Sequence, residues 1–160
     1  MIQRKLLLAS LCIVLSVPVL AGTGGHSHGH DSHGQPATLQ LDAGKKWQTD
    51  AALRSAMGRL RETMAASLDG IHENRLKSAE YAALASKVEQ EVGRIVADCK
   101  LDERADAQLH IVVGELLAGA ERMAGKVKGA SRQGGAVRVI GALDKYAAYF
   151  DDPGFAPIRH

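Results

Sequence analysis

Apolar residues recur through the middle of this chain in steps of three and four, the spacing of one face of an α-helix. Leu53, Met57, Leu60, Met64, Leu68 and Ile71 form a first stripe. Tyr81, Ala85, Val88, Val92, Ile95 and Cys99 form a second. Ala105, Leu109, Val112, Leu116, Ala120, Met123 and Val127 form a third, and Ala136, Ile140, Leu143, Ala147 and Phe150 a fourth. Nowhere does the chain alternate apolar and polar residues as a half-buried strand does.

The punctuation agrees. Thr49 or Asp50 offers a side-chain oxygen to cap the first helix, Ser78 the second and Asp102 the third. His72 to Lys77 reads as a polar turn, Gly129 to Gly135 as a break, and Asp151-Asp152-Pro153-Gly154 as a stop. Helices of comparable length with short connections predict antiparallel neighbours. The fold class predicted is all-α: an up-down-up-down four-helix bundle over residues 47–155, with 156–160 as a tail. Small residues Ala85, Ala105, Ala120, Ala136 and Ala147 lie on the stripes and permit close helix approach. Trp47 stands at the entry of the first helix, placed to staple the chain to Tyr146, Tyr149 and Phe150 at the bundle end.

Ahead of this domain lie two different stretches. Arg4-Lys5 followed by the apolar run Leu6 to Leu20 fits a secretory signal peptide, 1–21, with cleavage after Ala21. The run is short for a ~30 Å hydrocarbon core, which speaks against a retained anchor. Leu11 stands before Cys12 where a lipoprotein needs a small residue. Residues 22–46 then read as a disordered His-rich segment and linker. Within it His26, His28, His30 and His33 fall inside eight residues. Imidazole is the commonest side-chain ligand of zinc, copper and nickel, and a flexible tract can wrap several nitrogens onto one ion.

Composition narrows the classes. Hydrophobic residues make up 46% and aromatics 4%, which suits a core of aliphatic side chains. Leaving out Arg4 and Lys5, 18 of the 20 basic residues remain against 18 acidic ones. A neutral chain gives no electrostatic reason to expect nucleic acid or an anionic membrane as partner. Loss of the leader removes Cys12 and leaves Cys99 alone, so no internal disulfide forms. In an oxidising periplasm a lone thiol calls for burial, a metal or a partner thiol, the last allowing a homodimer.

The corner between the second and third helices carries the candidate chemistry. Asp106 and His110 are four apart and share a helix face. Either both chelate one ion, or the carboxylate fixes the imidazole tautomer while the other nitrogen binds. Cys99, eleven positions earlier, converges on them if the corner folds back. A stripe methionine, Met57 or Met64, would complete a donor set for a soft ion such as Cu(I). His72 is a further candidate in the first loop. A b-type haem held by Met57 and His110 is an alternative, although no Cys-x-x-Cys-His attachment motif occurs. No Glu-x-x-His pair for a di-iron site lies on the helices, and no oxyanion loop accompanies Cys99, so no enzymatic activity is predicted. A non-catalytic periplasmic interaction module is the other reading.

The runs Trp47-x-Thr49-Asp50…Met57, Cys99-Lys100-Leu101…Ala105-Asp106…Leu109-His110 and Tyr146…Phe150-Asp151-x-Pro153 resemble a group of small exported proteobacterial proteins labelled DnrO-like. The resemblance covers roughly residues 45 to 155. It implies export and a helical bundle, and assigns no activity. Members often carry a histidine near the corner that here reads Asp151-Asp152-Pro153, and this chain has none there.

Overall fold

The structure, a computed structural model, describes residues 38–159. The predicted signal peptide, 1–21, and His26, His28, His30 and His33 lie outside the described residues. The helices belong to the unit Pro36–His160. Along it run β1 (Trp47–Gln48), α1 (Ala51–Ala65), α2 (Leu68–His72), α3 (Ser78–Asp98), α4 (Glu103–Ala124), α5 (Arg132–Tyr149) and β2 (Phe150–Asp151). The described residues are thus all-α apart from one minimal strand pair. No helix among them is long and apolar enough to cross a membrane.

The predicted stripes form the core. Leu53, Met57, Leu60, Met64 and Ile71 are fully buried, as are Val88, Val112, Leu116, Met123, Ala136 and Leu143. α4 packs along α5 and α3, α1 lies on α3 and α5, and α2 caps α5. Arg59 of α1 and Arg94 of α3 both bind the carboxylate of Glu91, the one buried charged residue of the helical core among those described. A buried charge needs such pairing to offset the loss of water.

Four helix boundaries and one strand pairing differ from the sequence reading. The first stripe spans two helices. After Ala65 the Ala66 amide still reaches the Glu62 carbonyl, but the Ser67 amide reaches Met64, a tightened last turn, and the Ser67 hydroxyl donates to the Thr63 carbonyl. Ile71 regains the core from α2. Helix α3 takes Lys77 as its N-cap, because the Glu80 carboxylate accepts the Lys77 amide at 2.7 Å. Helix α4 stops at Gly125, whose φ of 78° only glycine adopts freely, so Val127 lies beyond it and is exposed. Helix α5 begins at Arg132, four residues early, because the Ser131 hydroxyl accepts the Gly134 amide. Finally, Trp47–Gln48 pairs in parallel with Phe150–Asp151, a contact too short to leave an alternating pattern.

The flanks are also more structured than predicted. Residues 38–46, the described part of the predicted linker, are tied to the helices. Asp42 and Lys45 bridge a tight turn through Ala43 and Gly44, both at positive φ. The Gln40 amide donates to Gln108 of α4 at 2.8 Å, and Trp47 Nε1 donates to the Gln40 carbonyl at 2.6 Å. Arg104 pairs with Asp42 at 2.9 Å while its guanidinium lies 5.1 Å from the Trp47 ring. Within the predicted tail, Ile158 is buried.

Close helix approach is made by glycine rather than by the predicted alanines alone. A Cβ at Gly135 would stand 2.7 Å from the Gly119 carbonyl oxygen and 2.8 Å from the Met123 amide nitrogen. Those are backbone atoms and cannot step aside. Gly135→Ala is therefore expected to cost about 3 kcal/mol in urea denaturation. Gly141→Ala, where a Cβ meets nothing within 4 Å, should instead gain up to about 1 kcal/mol.

Candidate functional site at the α3–α4 corner

Helix α3 ends because Cys99 turns to extended backbone, with φ −73° and ψ 137°. Three residues later Asp102 caps α4, accepting the amides of Arg104 and Ala105 at 3.1 and 3.0 Å. The corner is pinned from α1. Asp50, the N-cap of α1, accepts the Leu53 amide through Oδ1 at 2.7 Å and the Lys100 amide through Oδ2 at 2.6 Å. The Cys99 thiol donates to the same carboxylate. Burial alone would raise the Asp50 pKa, but the Leu53 and Lys100 amides, the Cys99 thiol and Arg54 prevail and hold it below its ordinary value.

Cys99 itself is half-buried, and its thiol is pushed up from 9.0 to about 12. Burial is the main cause. The negative charge of Asp50, the hydrogen bond to it, and the charge of Asp106 add to it. At neutral pH this sulfur carries its proton.

Cys99, Asp106 and His110 line one cleft of about 290 Å³, walled by Ile95, Val96, Leu109 and Val113. Val96 forms its apolar lip, 75% exposed. The His110 side chain is 73% exposed. Its Nδ1 lies 2.9 Å from the Asp106 carbonyl oxygen and 3.4 Å from Asp106 Oδ2. A carbonyl oxygen only accepts, so Nδ1 donates to it, and in the neutral ring Nε2 carries the lone pair. The main-chain oxygen, more than the carboxylate, selects the tautomer.

The corner thus brings the three predicted residues to one cleft, with a neutral thiol, an imidazole lone pair and a carboxylate. Among the described residues no three His, Cys, Asp or Glu side chains stand together as a ligand group. Met57 and Met64 are fully buried core filler and line no part of this cleft. His72 lies at a separate hollow of about 280 Å³ beside Val137, Ile140, Gly141 and Asp144. Compared with family models, with curated proteins and with solved structures, the chain gives no match. The site therefore rests on its own geometry.

Asp50 is the residue the sequence reading missed here. Its capping role was legible, but nothing in the sequence joins it to an amide fifty positions away.

A second consequence concerns alkaline pH. Tyr146 is fully buried, and its hydroxyl donates to Asp152 Oδ2 at 2.9 Å. Burial first, then that hydrogen bond and the Asp152 charge, push its pKa far above 10.0. Cys99 and Tyr146 ionise near 9.0 and 10.0 in the unfolded chain, yet both stay protonated well beyond that when folded. The folded state then binds more protons, so stability is full below about pH 9 and falls as pH rises toward 12. Urea midpoints at about pH 8 and pH 10.5 check this, and Tyr146→Phe should flatten the decline.

Proposed function

We propose that this chain is an exported, periplasmic metal-binding protein for copper, zinc or nickel, serving metal handling or a stress response. The observation that carries the reading is the tract His26-Ser27-His28-Gly29-His30-Asp31-Ser32-His33, four imidazoles within eight residues. The leader-like run 1–21 and the likeness to DnrO-like exported chains support the compartment. The helical unit is the scaffold. We read α1, α3, α4 and α5 as an up-down-up-down four-helix bundle, because each packs on the next and α5 returns to α1.

In this reading the tract captures the ion, and the corner offers a second, weaker set of donors. His110 Nε2, the ring nitrogen turned away from the Asp106 carbonyl, is the first donor. Asp106 lies beside it, and Cys99 joins only where a soft ion such as Cu(I) displaces its proton.

Equilibrium dialysis of untagged protein against Cu(II), Zn(II) and Ni(II) tests the proposal. The whole chain should retain about one ion or more, deletion of residues 22–35 should remove most of it, and Cys99→Ser should alter chiefly Cu(I) uptake. Equal uptake with and without the tract would overturn it. The exposed Val96 lip favours a second reading, a docking module whose partner seats in the corner cleft. A partner captured by the chain and lost on Val96→Asp would support that reading instead.

A further inference from the structure

A second hollow among the described residues lies elsewhere, between α1 and the turn that follows β2. Its volume is about 440 Å³, within the range of small-molecule sites. Helix α1 lines it with Arg54 and Arg61, seven positions and therefore about 10 Å apart on one face. Gly58 lies between them.

Both guanidinium groups are held at one edge by main chain. Arg54 Nη1 donates to the Thr49 carbonyl at 2.6 Å and to Thr49 Oγ1 at 3.1 Å. Arg61 Nε donates to the Ala156 carbonyl. Both terminal nitrogens of Arg61, and Nε and Nη2 of Arg54, have no acceptor among the described residues. Ser55 accepts from Arg59 Nη1, which leaves its own hydroxyl proton to give.

The acidic groups of the hollow differ from one another. Asp152 is occupied, accepting Tyr146 through Oδ2 and the Gly154 amide at 3.2 Å through Oδ1. Glu62 takes no hydrogen bond through its side chain among the described residues. The hollow therefore offers spare donors at two arginines and spare acceptors at one carboxylate, with the Phe155 ring as an apolar wall. A phosphate would meet two carboxylates here, and a simple cation would meet two guanidiniums.

Gly58 fits the same picture. Mid-helix glycine costs about 1 kcal/mol relative to alanine. A Cβ there would meet nothing within 4 Å, so no packing demands the glycine. Its missing side chain is what leaves the floor of the hollow open.

We propose that this hollow binds a small zwitterion of the free α-amino acid class. The carboxylate sits on the arginine donors, the ammonium on Glu62, and an apolar side chain against Phe155. Arginine matches a carboxylate with paired N–H bonds, which supplies the orientation.

Nuclear magnetic resonance titration of the purified protein tests this, with a chelator present so that no metal–amino acid complex contributes. The probes are L-leucine, isovalerate, isopentylamine and inorganic phosphate. Leucine should saturate, moving amide signals of residues 54–62 and 152–155. Isovalerate and isopentylamine, each lacking one charge, should bind roughly tenfold or more weakly. Gly58→Leu, which fills the floor from a position where the Cβ itself meets nothing within 4 Å, should abolish binding, and Gly58→Ala should retain it. Arg54→Gln should weaken leucine while leaving the circular dichroism spectrum unchanged. Absence of saturable leucine binding, phosphate or isovalerate binding as tightly as leucine, or full affinity in Gly58→Leu would each overturn the proposal.

Discussion

Cys99 is expected to be chemically silent at neutral pH. At pH 8 it should react with iodoacetamide roughly a thousandfold more slowly than an exposed thiol, because only the thiolate attacks and each unit of raised pKa removes about tenfold of it. The thiol is pushed from 9.0 to about 12 by burial first and by Asp50 second. Asp50→Asn should therefore quicken alkylation about tenfold or more while keeping an oxygen to cap α1. Burial would remain, so the rate should stay below that of a free thiol. Asp50→Ala should show the same gain and in addition lose about 1–2 kcal/mol of stability with the cap. Rapid alkylation of the parent protein under native conditions would contradict the hydrogen-bonded thiol.

Metal binding is expected to be lost steeply on acidification. Imidazole ligates only when neutral, and its ordinary pKa is about 6.5. With three tract histidines on one ion, affinity should fall on the order of a thousandfold per pH unit below that point. Dialysis at pH 7.5 and pH 5 with copper or zinc measures it. Replacing His26, His28, His30 and His33 by serine should flatten the dependence. Retention of metal at pH 5 would point to sulfur or carboxylate ligands in place of the tract.

Local features of this fold were legible in the sequence, and features that depend on distant contacts were not. The heptad-like spacing of Leu53, Met57, Leu60 and Met64 marks a buried face because three- and four-residue steps align on any helix. Asp102 was readable as a cap, since capping involves only the next turn. Cys99, Asp106 and His110 reach one cleft because a single bend separates them.

Gly134 and Gly135 read as loop by propensity, yet they lie in the first turn of α5 behind the Ser131 cap, and at Gly135 the approach of Gly119 leaves no room for a side chain. The same distance in sequence hid the Asp50 bond to Lys100, the pairing of Trp47 with Phe150, and the anchoring of Arg61 by Ala156. The Arg54–Arg61 hollow was invisible for that reason: half of its wall arrives from the far end of the chain.

Electron paramagnetic resonance of the untagged chain loaded with one equivalent of Cu(II) bears most directly on the metal reading. Hyperfine structure from several imidazole nitrogens, absent once His26, His28, His30 and His33 are serine, is the predicted result. A spectrum of oxygen ligands alone, or one unchanged by those substitutions, would contradict it.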